Sequence, residues 1–139
     1  MIILTFQGRI KNRKRYEEFA EDVVNELLPR PFKRDINIHF WFTKNVGAMG
    51  YCQMEDKDEI LITIDNTYDP ELVAGTVVHE LVHAKQYIRG ELNADMTRWM
   101  KQEIPYGPRG GLKIKYKDQP WEMEAFEKEV WLKELLWDK

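Results

Sequence analysis

Cysteine is almost absent from this chain: Cys52 is the only one among 139 residues, so an internal disulfide is impossible. Secreted domains of this size are usually stapled by several disulfides, so a reducing, cytoplasmic setting is the expectation. Long apolar runs are missing too. None approaches the roughly 18 consecutive residues of a membrane span, and the N-terminal Ile2-Ile3-Leu4-Thr5-Phe6 is too short for a signal peptide and has no basic residue ahead of it. It reads as a first β-strand. Excess positive charge is lacking as well, 21 Lys and Arg standing against 24 Asp and Glu for a formal charge of −3. The field that non-specific nucleic-acid binding requires is therefore not expected, and the basic run from Arg9 to Arg15 reads first as a solvated connection. Histidine is scarce, with only His39, His79 and His83.

Apolar residues are plentiful: 43% of the chain is hydrophobic and 12% aromatic, including five Trp, which is enough to build a core. The length is that of one ordinary domain, so residues 1–139 are expected to form a single unit. After the first strand, Tyr16, Phe19, Ala20, Val23, Val24, Leu27 and Leu28 recur at spacings of three and four, an amphipathic helix ended by Pro29 and Pro31. Ile36 to Phe42 alternates as a half-buried strand, with His39 on its polar face; a surface or hydrogen-bonded role suits that histidine better than ligation. Gly47 to Met54 is a weaker strand with two glycines, and Glu59 to Asp65 a strong one, joined by a charged turn.

Asp69-Pro70-Glu71 marks a helix start, with Asp69 as cap and Pro70 in the first turn, and Gly90 marks its end. Its apolar residues point in nearly every direction, so the helix should be buried. Glu91 to Ile104 reads as partly helical, Pro105 to Lys117 as a loop with room for one short hairpin, and Trp121 to Trp137 as a last amphipathic helix. The five Trp are most simply core.

The buried helix carries His79-Glu80-Leu81-Val82-His83, a match to H-E-x-x-H. Residues four apart lie about 40° from one another on a helix, so both imidazoles face one metal ion, and Glu80 beside them can serve as a general base without binding it. Imidazole and carboxylate donors favour zinc. Tyr106, Tyr116, Arg98 and Arg109 could each stabilise an oxyanion, and nothing in the sequence selects among them.

With this motif the chain resembles the zincin metallopeptidases. The metzincin extension would place Gly and His where this chain has Gln86 and Arg89, and the third histidine of SprT-like proteases has no counterpart after His83. The remaining pattern is that of gluzincins, which take a Glu from a later helix, commonly in a Glu-Ala pair. Pro120-Trp121-Glu122-Met123-Glu124-Ala125-Phe126 is similar to it. The short single-domain forms, minigluzincins and related phage-encoded H-E-x-x-H proteins, are nearest, and Gly47 to Cys52 followed by Glu59 to Ile62 resembles their glycine-bearing edge strand and its neighbour.

The resemblance implies an α+β, zincin-like domain: a small mixed twisted sheet with a covering helix, a buried metal helix and a C-terminal helix donating the third ligand. Of the two carboxylates in that helix, Glu124 is the expected ligand. On a wheel with Trp121 at zero it falls at about 300°, between Trp131 and Leu135, whereas Glu122 falls at about 100°, near Glu129 and Lys133, where a solvated carboxylate needs no explanation. Gluzincins often place Asp or a small residue four positions after the ligand, and here that residue is Lys128, so the imidazoles must be oriented from elsewhere, by Glu127 or a backbone carbonyl. The expected function is zinc-dependent peptide hydrolysis, with His79, His83 and Glu124 as ligands and Glu80 as base. The substrate would be an extended protein or peptide segment along the Gly47 to Met54 edge, in the cytoplasm, including a host's if the gene is a phage's. Two alternatives stand beside it: a non-catalytic, zinc-stabilised binding module, and a protease recruited to DNA.

Overall fold

The computed structural model describes residues 1–138. Strand β1 (Ile2–Gly8) leads into helix α1 (Arg13–Leu27), whose Tyr16, Phe19, Ala20, Val23, Val24 and Leu27 are buried as their spacing requires. Strands β2 (Ile36–Thr43), β3 (Gly50–Asp56) and β4 (Glu59–Asp65) complete a mixed four-stranded sheet in the order β1-β2-β4-β3. β1, β2 and β4 are parallel, and β3 runs antiparallel on β4 as an edge strand. The alternation in β2 sends Ile36, Ile38, Phe40 and Phe42 to the face that packs on the helices, beside Ile60, Ile62 and Ile64 of β4. Asn37 and His39 lie on the opposite face; His39 Nδ1 bonds Thr5 and its Nε2 meets Glu59 Oε2 at 2.7 Å. The fold is α+β, with three helices on a mixed sheet.

Helix α2 (Pro70–Ile88) lies across the inner face with fifteen buried positions, from Val73 to Ile88. Asp69 sits at its N-cap, but its side chain makes no cap bond; the Asp69 carbonyl accepts the Val73 N–H instead. Gly90, at φ +71°, closes the other end as expected. No described helix is long and apolar enough to cross a membrane.

The stretch after Gly90 departs from the sequence reading. Glu91 to Ile104 holds no helix: it forms a hairpin of two two-residue strands, β5 (Arg98–Trp99) and β6 (Gln102–Glu103), with a bridge from Leu92 to Trp99. Met96, Met100 and Lys101 take positive φ, which a helix cannot contain. Leu92, Ile104 and Trp121 make a second small core there, with Met96, Trp99, Leu112 and Ile114 around it, so the apolar spacing served tertiary packing. One 3₁₀ turn (Tyr116–Asp118) precedes helix α3 (Pro120–Leu132), which packs along α2 and ends in a π turn (Lys133–Trp137). Trp121 and Trp137 are core, but Trp131 is 53% and Trp41 45% exposed.

Candidate metal centre

Helix α2 presents His79, Glu80 and His83 on the side that faces β3 and α3, each under 10% exposed. The one-turn spacing brings the Nε2 atoms of both imidazoles to a single carboxylate oxygen, Glu122 Oε1, at 2.9 Å from His79 and 3.1 Å from His83. One donor atom from each of these three buried residues lies within 4.8 Å of the others, a set that can hold a metal ion.

The third donor is therefore Glu122, and the assignment to Glu124 is corrected. Trp131 and Leu135, which marked the packed side on the wheel, are 53% and 46% exposed; the buried stripe of α3 is Trp121, Ala125 and Leu132. That stripe centres near Trp121 on the wheel, so Glu122 and Glu124 flank it on opposite shoulders, at about 100° and about 300°. Both reach α2, at different places. Glu124 meets Lys85 and Lys128, each at 2.7 Å, and accepts from Gln86. Lys85 is only 7% exposed and also pairs with Glu91.

The outer ring nitrogens have partners from two directions. His79 Nδ1 lies 3.0 Å from Glu129 Oε1, on α3, and His83 Nδ1 lies 2.8 Å from Gln86 Oε1, one turn along α2. Glu129, not the exposed Glu127, orients the first imidazole, and Gly75 leaves room for it: a Cβ there would come within 3.2 Å of Glu129 Oε2. Such outer partners fix the tautomer and raise the basicity of ligating histidines. Glu129 lies seven residues after Glu122, two helical turns on the same face, so the right wheel phase would have shown both.

The charges of the metal-free site follow from this packing. Burial alone pulls His79 down, but its hydrogen bonds to Glu122 and Glu129 outweigh that and lift it to about 10. Burial likewise pushes Glu122 up, and the two imidazoles reverse it, holding the carboxyl at about 2. Glu80 differs: burial pushes it to about 7, only partly offset by His83 and His79. A carboxyl poised there suits exchange of a proton near neutral pH.

Between α2 and the edge strand β3 the donors open into two adjoining cavities of about 190 and 260 Å³. Glu80 and His79 line both; Cys52, Tyr87, Leu92, Met96 and Trp121 wall one side, and Ala48, Met49, Thr76 and Phe126 the other. Burial, aided by Glu80, pushes the Cys52 thiol well above its usual range, so it is neutral. Tyr116 borders both cavities and donates its hydroxyl to Glu122 Oε1 at 3.2 Å, while its ring packs edge-on against Phe126. Of the four oxyanion candidates it alone reaches the site: Tyr106 bonds the Met96 carbonyl, Arg98 faces Glu103, and Arg109 lines neither cavity.

Gly50 borders the cleft, but packing already requires a glycine there. A Cβ would stand 2.7 Å from Thr76 Cγ2 and 2.8 Å from the Thr63 carbonyl oxygen. In the basic N-terminal run, Arg13 donates to the Phe6 and Gly8 carbonyls, and Arg15 stacks 3.6 Å over the Trp137 ring. Compared with known proteins, the chain matches no family model, no curated protein and no solved structure.

Proposed function

We propose that this chain is a zincin-like, zinc-dependent metallopeptidase. The observation that carries the reading is Glu80, a buried carboxyl raised to about 7 that stands beside a three-donor cluster, lines both cavities and is not itself one of the donors. A site that only held metal for stability would have no use for it. The donor set fits zinc: two imidazoles whose outer nitrogens are hydrogen-bonded, and one carboxylate. Zinc bound there would act as a Lewis acid on the scissile carbonyl and acidify the attacking water.

The protein groups supply the rest. Glu80 takes the proton from the attacking water and returns it to the leaving amine. Tyr116, whose hydroxyl reaches into the cleft at Glu122, would donate to the carbonyl oxygen as it gains charge. The free edge of β3 offers backbone donors and acceptors to an extended substrate.

The test is Glu80→Gln in the zinc-loaded protein, assayed on a denatured protein or peptide library. Zinc content and fold should be retained and hydrolysis should fall by about 10²- to 10⁴-fold. Wild-type rates in the variant would place the base elsewhere. A wild type that holds zinc and cleaves nothing would replace this reading with that of a zinc-stabilised binding module.

A further inference from the structure

Gln86 is a polar side chain with no exposed surface in the last turn of α2, and such a group is costly unless every arm is used. All its arms are used. Its Nε2 donates to the Trp121 carbonyl and to Glu124 Oε1, both at 2.9 Å, and its Oε1 faces His83 Nδ1 at 2.8 Å.

A carboxamide can turn over, exchanging oxygen for nitrogen, so something must decide which end meets the ring. Two of the three partners here only accept. The Trp121 carbonyl and the Glu124 carboxylate take the NH₂ end, and the oxygen is left for His83. An oxygen facing Nδ1 is satisfied only by a proton on Nδ1, which leaves Nε2 as the ring nitrogen for a metal. Turning the amide over would set its oxygen against a carbonyl and an anion at once. Glu124 in turn is held by Lys85 and Lys128.

We infer that Glu124 is a positioning residue: through the Gln86 amide it fixes His83 with its proton on Nδ1 and its Nε2 toward the donor cluster. His79 receives its carboxylate directly, from Glu129; His83 receives one at second hand. The role of Nε2 as a ligand rests on the zinc reading above, while the relay from Glu124 to Nδ1 stands without it.

The experiment uses the full-length, metal-free protein with ¹⁵N-labelled histidine and glutamine, and reads solvent exchange of the His83 Nδ1 proton by NMR. Wild type should show a protected Nδ1–H. Gln86→Met, close in shape but without the acceptor, should abolish protection, and Glu124→Leu should speed exchange at least about tenfold, the effect of losing roughly 1.4 kcal/mol of hydrogen bonding. Glu124→Gln keeps an oxygen for the Gln86 NH₂ and should restore protection, which a merely structural loss at this position would not do. An unprotected Nδ1–H in wild type, or equal protection in wild type and Gln86→Met, overturns the relay. Zinc titration of the same proteins separates the two readings: Gln86→Met should bind about 10- to 100-fold more weakly. A wild type that shows the protected proton and binds no zinc would refute the zinc reading and leave the relay intact.

Discussion

Replacing Glu122 and Glu124 in turn by Gln separates a carboxylate that binds metal from one that does not, at nearly constant shape. Glu122 Oε1 lies 2.9 and 3.1 Å from the two Nε2 atoms, and among the described residues no other carboxylate completes the cluster. Altering a partner one step out from a metal ligand typically costs 10- to 100-fold in affinity, so removing the ligand itself should cost more: Glu122→Gln should weaken zinc binding by over about 100-fold, or about 2.7 kcal/mol. Glu124→Gln still offers an oxygen to Gln86 and should stay within about threefold of wild type. Its cost should appear in stability. Among the described residues, Lys85, 7% exposed, would keep only Glu91 as a charged partner. Breaking a buried pair costs about 3–5 kcal/mol, and with Glu91 retained and Glu124 partly exposed a loss of about 1–2 kcal/mol is expected. Chelator competition gives the first quantity and urea unfolding the second. A larger loss of zinc affinity in Glu124→Gln than in Glu122→Gln would refute the donor assignment.

The metal-free protein should lose stability as pH rises from 6.5 toward 10, because His79 is raised to about 10 and its contribution is fully present only below its unfolded value of 6.5. Glu122, lowered to about 2, adds stability above 4.5 that is lost as pH falls through 2; a flat melting temperature between pH 6.5 and 10 would contradict the His79 assignment. Zinc affinity should move the other way and rise over the same alkaline range, since binding must displace the His79 proton, as competition titrations at several pH values would show. Gly50→Ala should destabilise by about 1–3 kcal/mol through its clash with the Thr63 carbonyl and Thr76; an unchanged urea midpoint would mean that the strand shifts freely.

How much was legible follows from which signals are local. The alternation of β2 and β4 and the spacing in α1 carry their own period, and the structure places those elements within a few residues of where the pattern puts them. Two histidines four apart on one helix need no tertiary information to share a face. The phase of α3 does need it. Met123, Phe126, Val130, Trp131 and Leu135 are all exposed apolar residues, so hydrophobicity could not say which side of that helix meets α2, and Glu122 was read as solvated. The stretch from Glu91 to Ile104 failed for a related reason: its apolar residues serve a small core completed by Trp121, from another element. Gln86 carried a signal that went unused, since a carboxamide three residues after His83 is within reach of its ring.

The donors come from two helices that are distant along the chain: His79 and Glu122 are 43 positions apart. Gln86 is within reach of the His83 ring as soon as α2 is helical, but Glu124, which fixes its amide, arrives with Glu122 and Glu129 only when α3 docks. An ion gripped by all three donors would therefore behave as a removable crosslink, closing a loop of that length much as a disulfide does. Chain-entropy arithmetic for such a loop gives about 4 kcal/mol, comparable to a good part of a small domain's stability. In a chain whose single cysteine excludes a disulfide, the metal would be the clasp.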